Sequence, residues 1–290
     1  MPELPEVETV KNGLSRLLKN KTVQSVTFDW PKGFPNSEAD VNNFLIGASV
    51  INVERRGKSL IITLSSEYCL VIHLKMTGQL VFRGKEQFGA GHPNNSLIGP
   101  LPDRSTRVVL TFTDNSQLFF NDQRKFGWMR LLPEFEVANL DFMKKLGPEP
   151  LNSEFKNSEF RKRVRRRKNS SIKATILDQT VLAGVGNIYA DESLWMAKIH
   201  PASLSGTLSD AKLNLLFKSI KEVFIKSISL GGSTDRNYVD AEGKKGSYLE
   251  FANVFRREGQ LCPRCNTVII KTRVATRGTH LCPKCQRKTK

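Results

Sequence analysis

With 290 residues, of which 39% are hydrophobic, the chain is long enough for two cored domains, or two and a small metal module. Nothing in it approaches the ~20 consecutive apolar residues of a membrane-spanning helix, and the opening Met-Pro-Glu-Leu-Pro-Glu lacks the basic-then-apolar build of a secretion signal, so a soluble, cytoplasmic protein is expected. The formal charge of +17 sits in two places: residues 161–173 carry +8, residues 251–290 carry +9, and the rest nets to zero. Charge gathered into segments fits a polyanionic partner, nucleic acid before a membrane surface, better than it fits mere solubility.

In chain order, Val7, Val10, Leu14, Leu17 and Leu18 recur at helical spacing, with Pro5 where a first turn tolerates proline, and predict an amphipathic N-terminal helix. Met followed by Pro is a favourable site for Met removal, which would leave a secondary amine at Pro2. An α-amino group titrates near ~8, so part of it is unprotonated and nucleophilic at neutral pH. Glu3 and Glu6 lie within one turn and could move protons; acids in a first turn are equally ordinary partners of the helix dipole.

From about Thr22 to Leu132 the pattern changes to short β-rich runs such as Ser59–Leu64, Cys69–Leu74, Val108–Phe112 and Gln117–Phe120, broken by turn residues, which predicts an antiparallel sandwich or barrel. Cys69 reads as an inert core residue. The stretch from Gly84 to Asp103 holds four glycines and three prolines and is expected as an exposed loop. After the linker-like Leu146-Gly147-Pro148-Glu149-Pro150-Leu151, helical periodicity returns over Ile172–Leu177, Ile188–Met196 and Leu208–Ile228. The basic run 161–168 reads as a solvated helix end or a binding element. Gly184-Val185-Gly186-Asn187 places glycines before a helix start, where backbone N–H groups can meet an anion and Asn187 can serve as an N-cap or reach a phosphate.

Cys262-x-x-Cys265 and Cys282-x-x-Cys285, sixteen residues apart, have the spacing of a four-thiolate zinc site with no position left for water, hence one structural Zn²⁺. A redox dithiol is the alternative, disfavoured by the second matched pair. Thr267–Val274 is β-branched and Arg277-Gly278 reads as a turn, so the metal would pin a β-hairpin.

Taken together these segments resemble the formamidopyrimidine-DNA glycosylase (Fpg/Nei) family. The resemblance is carried by MPELPEVETV at the start, Arg55–Lys58, His73–Gly78, Asp122–Gly127, Leu146–Leu151, Asp178–Glu192 and the cysteine module with Arg277-Gly278-Thr279. It implies an α+β protein: an N-terminal antiparallel β-sandwich with flanking helices (1–135), a linker (136–152), a helix–two-turn–helix DNA-binding domain (153–248) ending in a lesion-recognition loop (231–248), and a zinc β-hairpin (249–290). Double-stranded DNA carrying oxidised purines or abasic sites would lie in the cleft of a monomer.

By the same resemblance Pro2 would be the nucleophile, Glu3 the acid/base group, Glu6 its support, and Lys58 a phosphate contact or an assistant to the chemistry; alone, Lys58 would read as a surface lysine. Met76, Arg124 and Phe126 would fill the hole left by a flipped base, although Met76 and Phe126 alone would read as core residues. His73, Lys173, Asn187 and Arg277 would bind DNA, the last three as phosphate clamps. The segment 231–248 would read the lesion or be a plain surface linker. The opening and the Met76/Arg124/Phe126 set resemble the oxidised-purine branch; a pyrimidine-lesion enzyme and a non-catalytic DNA-binding zinc protein are the alternatives. Ser105 departs from the family, where histidine is expected.

Overall fold

The computed structural model describes residues 2–92, 94–233 and 248–288, which fall into two compact units. One takes residues 2–144 together with 230–233, and the other takes Lys145–Ser229 with 248–288. Among the described residues no helix is long and apolar enough to cross a membrane.

The first unit begins with α1 (Leu4–Leu18), whose apolar stripe Val7, Val10, Leu14, Leu17 and Leu18 is buried as its spacing predicts. Two antiparallel sheets follow. One is ordered β1 (Val23–Phe28), β7 (Thr106–Phe112), β8 (Gln117–Asp122), β5 (Gly78–Arg83), β6 (Gln87–Gly91); the other is β2 (Val50–Arg56), β3 (Ser59–Leu64), β4 (Tyr68–His73), β9 (Trp128–Pro133). Inward residues of both sheets, among them Leu60, Ile62 and Ile72 with Leu80, Leu110 and Phe120, share one core with α1. Each such side chain contributes about 1.5–3 kcal/mol on burial, so the five core residues of α1 hold its N-terminus in a fixed place. An ion pair from Arg55 Nε on β2 to Glu8 Oε2, 2.6 Å, sets the helix on the sheet edge. Short helical pieces α2 (Glu38–Asp40), a π-helical turn at Val41–Leu45, α3 (Glu134–Val137) and α4 (Asp141–Lys145), which ends at the boundary with the second unit, complete the element order here.

The expected exposed loop at 84–103 is instead structured. It supplies β6 and a 3-10 turn at Asn95–Leu97, and Leu97, 2% exposed, packs with Val81 and Phe119 on the sheet's other face. A strand written Gln-Phe-Gly-Ala-Gly carries almost no side chains to alternate, so its periodicity is invisible. Ser105 has a local structural role, since its Oγ donates to Asp103 Oδ1 at 2.6 Å and ties off the end of this segment.

The second unit stacks α5 (Asn157–Arg165), α6 (Ile172–Leu177), α7 (Asn187–Met196) and α8 (Asp210–Ser229) around Phe160, Phe217, Tyr189 and Phe224. The basic run on and after α5 is largely spent inside the unit: Arg161 pairs with Asp210 (3.3 Å), Arg163 with Glu159 (2.9 Å), Arg165 with Asp210 (2.9 Å) and Arg167 with Asp178 (2.9 Å). The chain ends in a hairpin of β10 (Ile270–Val274) and β11 (Arg277–Leu281). Its turn lies at Ala275-Thr276, both left-handed (φ 49° and 63°), not at Arg277-Gly278, because Arg277 already pairs with Val274. Two non-glycine residues with positive φ are a turn that composition does not reveal.

The described part of the segment expected as a lesion-recognition loop also sits differently from the expected boundary. Residues 230–233 group with the first unit, because the Ser233 N–H donates to Glu6 Oε1 at 2.7 Å. Residues 234–247, the greater part of that segment, lie outside the described residues.

Candidate active site and zinc centre

Pro2 is buried directly before α1, and Glu3, the helix N-cap, has extended backbone (φ −105°, ψ −172°). The Glu3 N–H donates to Glu6 Oε2 at 2.8 Å, so Glu6 folds back over the helix start and fixes the peptide that carries Pro2. The other oxygen of Glu6 takes the Ser233 N–H. Gly232 has φ +89°, a conformation that favours glycine, and a Cβ there would lie 3.2 Å from Glu6 Cγ and Oε1, a contact that the Glu6 side chain would have to shift to relieve. Glu3 and Glu6 are 3% and 7% exposed. Met1, whose removal the nucleophile reading needs, lies outside the described residues.

Lys58 and His73 come together at one end of β3 and β4. Lys58 is half-buried in the β2–β3 turn, and Ser59 beside it pairs with His73 across β3 and β4. Burial, and then the charges of Lys75 and Lys58, hold the His73 imidazole down to about 3, so it is neutral at physiological pH. Its Nδ1 accepts the Lys75 N–H at 3.0 Å, leaving Nε2 to carry the proton as a donor.

Met76 and Phe126, which composition alone would put in the core, are 40% and 52% exposed, on the turn after β4 and the turn after β8. The Arg124 guanidinium lies over the Phe126 ring, 4.8 Å from its centroid, which holds both side chains as one flat surface.

In the second unit the expected phosphate clamps divide. Lys173 does not reach solvent: it is 0% exposed, and its Nζ donates to Asp191 Oδ1 (2.6 Å), Thr279 Oγ1 (2.8 Å) and the Gly278 carbonyl (3.1 Å). An ammonium enclosed this way is a tie between α6, α7 and the hairpin, and a direct phosphate contact is ruled out in this arrangement. Asn187 is the first residue of α7 and not its cap, which is Gly186; its Nδ2 donates to the same Gly278 carbonyl at 3.0 Å. Both therefore grip the residue next to Arg277, which is exposed.

Two buried carboxylates on α7 were not singled out by motif. Asp191 Oδ2 takes the His280 N–H at 2.9 Å. Glu192 collects the N–H groups of Asn253 (2.8 Å to Oε2), Val254 (2.8 Å) and Phe255 (2.9 Å). Adjacent acids inside the apolar helix Tyr189–Trp195 were the available signal, since unpaired charge is not left in a core.

Cys262, Cys265, Cys282 and Cys285 bring their sulfurs within 4.8 Å of one another, with Cys265–Cys282 at 3.4 Å and Cys262–Cys285 at 4.0 Å. A tetrahedral zinc with bonds of about 2.3 Å separates its sulfurs by about 3.8 Å, so the four are positioned to bind one zinc ion. Trp195 Nε1–H points at Cys262 Sγ (3.4 Å) and the Cys285 N–H at Cys282 Sγ (3.4 Å), donors that suit thiolates.

Comparison with known proteins agrees over the whole chain. Models of the formamidopyrimidine-DNA glycosylase N-terminal domain, of that enzyme's H2TH domain, and of the zinc finger found in FPG and IleRS match residues 1–129, 146–238 and 259–287. The formamidopyrimidine-DNA glycosylase of Enterococcus faecalis is 40% identical, over 99% of this chain and 97% of its own, and that of Ligilactobacillus salivarius is 38% identical over 99% of both. Among solved structures, a Lactococcus lactis Fpg variant in complex with Fapy-dG-containing DNA superposes with a TM-score of 0.87 at 35% identity, covering 99% of this chain and 100% of that one. A MutM complex with DNA containing carbocyclic 8-oxo-G gives 0.86 at 35% identity, with the same coverage. The chain belongs to the formamidopyrimidine-DNA glycosylase family.

Proposed function

We propose that this protein excises oxidised purines, 8-oxoguanine and formamidopyrimidines, from duplex DNA and then cleaves the strand at the resulting site. The observation that carries the reading is the buried Pro2 at the head of α1, with the Glu3 peptide and the 231–233 turn both held by Glu6. Relatives of this length are named for the activity, and relatives of this fold are solved on Fapy-dG and 8-oxo-G DNA, which supports the lesion class.

After Met1 is removed, the Pro2 amine attacks C1′ of the extruded nucleotide and its C–N bond to the base breaks, the base leaving with a proton. The resulting adduct still carries O4′ on C1′; the amine gives up its proton, the C1′–O4′ bond breaks with O4′ taking up a proton, and the ring-opened iminium so formed withdraws electrons from C2′, so that loss of the C2′ proton expels the 3′-phosphate and a second elimination expels the 5′-phosphate. Glu3 moves protons in these steps, and Glu6 keeps the nucleophile and the lesion-side turn in register. Lys58 and the neutral His73 supply donors to the DNA, while Met76, Arg124 and Phe126 occupy the space of the extruded base. Arg277 and Asn187 contact phosphates, and Lys173 supports them from beneath by holding Gly278. Zinc supplies no chemistry to the reaction; bound by the four cysteines it closes the fold of the hairpin.

Borohydride trapping on duplex DNA with one 8-oxoguanine opposite cytosine, followed by peptide mapping, tests this. A reduced adduct on Pro2 is expected. Binding without an adduct overturns the catalytic reading, and an adduct formed with thymine glycol in strong preference replaces the lesion class.

A further inference from the structure

The turns bearing Met76 and the Arg124/Phe126 pair are separate in sequence, yet one carboxylate fastens both. Asp122, the last residue of β8, is 0% exposed. Its Oδ1 accepts the Thr77 hydroxyl and the Arg124 N–H (3.2 Å), and its Oδ2 accepts the Gly127 N–H (2.6 Å). The Thr77 Oγ1 in turn accepts the Arg124 N–H at 3.1 Å, so that N–H is shared between the two turns. The mainchain of Asp122 is itself fixed: its N–H donates to the Ser105 carbonyl at 2.7 Å, and its carbonyl accepts Arg107 Nε–H at 3.0 Å.

Two further features show how tightly this knot is drawn. A Cβ at Gly127 would lie 2.8 Å from the Phe120 ring, 3.1 Å from Asp122 Oδ2 and 3.1 Å from the His73 carbonyl, so only glycine lets the carboxylate close the turn. Lys75 and Lys125, each next to one of the exposed apolar side chains, have left-handed backbone (φ 49° and 56°). Non-glycine residues keep that conformation only where their surroundings over-determine it. A buried aspartate ending a strand is commonplace as a turn-former. Here one such aspartate is shared between two turns, each of which carries an exposed large apolar side chain.

We infer that Asp122 is a positioning residue which, with Thr77, locks the two turns into a single rigid wedge, so that Met76, Arg124 and Phe126 enter the duplex as one body. The inference rests on the reading of those three side chains as the groups that replace the extruded base. A wedge pressed into a base stack must resist being splayed, and a charge-assisted knot at its root does this without adding bulk at its tip.

The test compares single-turnover excision of 8-oxoguanine in two substrates: a duplex with the lesion opposite cytosine, and the same lesion opposite a one-nucleotide gap, where there is no paired base to displace. Asp122→Asn changes one acceptor into a donor at nearly constant shape, and Thr77→Val removes the hydroxyl. Both are expected to slow the duplex reaction by about 30-fold, as a misplaced group does, and the gapped reaction by less than about threefold, while Thr77→Ser stays within about twofold of the unaltered protein. Equal losses on both substrates would make the knot a fold element only, and overturn the inference; so would no loss on either. The wedge reading has its own control in Met76→Ala combined with Phe126→Ala. If that variant shows no duplex-specific loss, the reading fails; if it shows the loss and the Asp122 and Thr77 variants do not, this inference fails alone.

Discussion

Both units use buried carboxylates to gather backbone N–H groups, but among the described residues only the second adds a fully enclosed ion pair. In the first, carboxylates at the candidate site hold backbone N–H groups, Glu6 that of Glu3 and Ser233, Asp122 that of Arg124 and Gly127, and leave larger side chains exposed around them. In the second, Lys173 and Asp191 are both 0% exposed and neutralise each other to fasten the zinc hairpin. Cationic residue types that read alike in the sequence therefore stand differently: Arg277 is exposed, whereas Lys173 is enclosed and Arg161, Arg163 and Arg165 of α5 are paired with carboxylates.

The largest test of this contrast removes the metal. Cys282→Ser should lose zinc, measured by metal analysis, and unfold the hairpin, since structural zinc is worth about 10–16 kcal/mol in isolated modules; DNA affinity should fall with it while the first unit keeps its β-sheet signature. Zinc-free protein that still binds DNA fully would show that the hairpin is not a clamp.

Next is the buried pair. Asp191→Ala leaves the Lys173 ammonium enclosed without its carboxylate and should lower unfolding stability by about 3–5 kcal/mol, and Lys173→Met together with Asp191→Ala should lose less than the sum of the single changes. A Lys173→Met protein of normal stability, whose DNA binding is weaker and less salt-dependent by about one phosphate contact, would return Lys173 to the phosphates.

In the first unit, His73 predicts an acid sensitivity. Its folded pKa lies near 3, below the unfolded value of about 6.5, so between the two the unfolded chain holds more protons. The stability is present above pH 6.5 and is lost as pH falls toward 3, by about 2 kcal/mol at pH 5. His73→Gln should flatten that part of the stability-against-pH curve; an unchanged curve would mean the imidazole is accessible to protons.

The most local effect is expected of Glu6→Gln. An amide keeps one acceptor for two N–H donors, and losing one such charge-assisted bond costs about 1–3 kcal/mol. The expected readout is slower borohydride trapping with DNA affinity unchanged; a loss of affinity at an unchanged trapping rate would make Glu6 a DNA contact instead of a support for Pro2.

Legibility in the sequence followed the range of the interaction. The zinc ligands and the buried stripe of α1 are set by spacings of a few residues, and both could be read directly. β6 could not, because Gly89, Ala90 and Gly91 carry no alternating pattern, and the turn at Ala275-Thr276 could not, because neither residue advertises positive φ. The burial of Lys173 depends on Asp191 and on Thr279, 106 residues further on, and the role of Asp122 depends on Thr77, 45 residues before it. Such partners are chosen by the fold, which a motif reports only as a string. The Met-Pro opening by itself raised Pro2 as a nucleophilic amine, with Glu3 and Glu6 as proton movers or plain helix-dipole partners; Lys58, Met76, Arg124 and Phe126 came from family resemblance, and without it Lys58 read as a surface residue and Met76 and Phe126 as core.

The bond from Ser233 to Glu6 spans 227 residues of chain. At ribosomal speeds of about 5–20 residues per second, roughly 10–45 s separate the synthesis of its two ends. A nascent chain can thus complete both sheets and present its N-terminus while the turn that Glu6 anchors has not yet been made. A chain cut short between the end of β9 at Pro133 and Ser233 therefore carries α1 and every strand of both sheets but lacks the N–H that occupies one oxygen of Glu6.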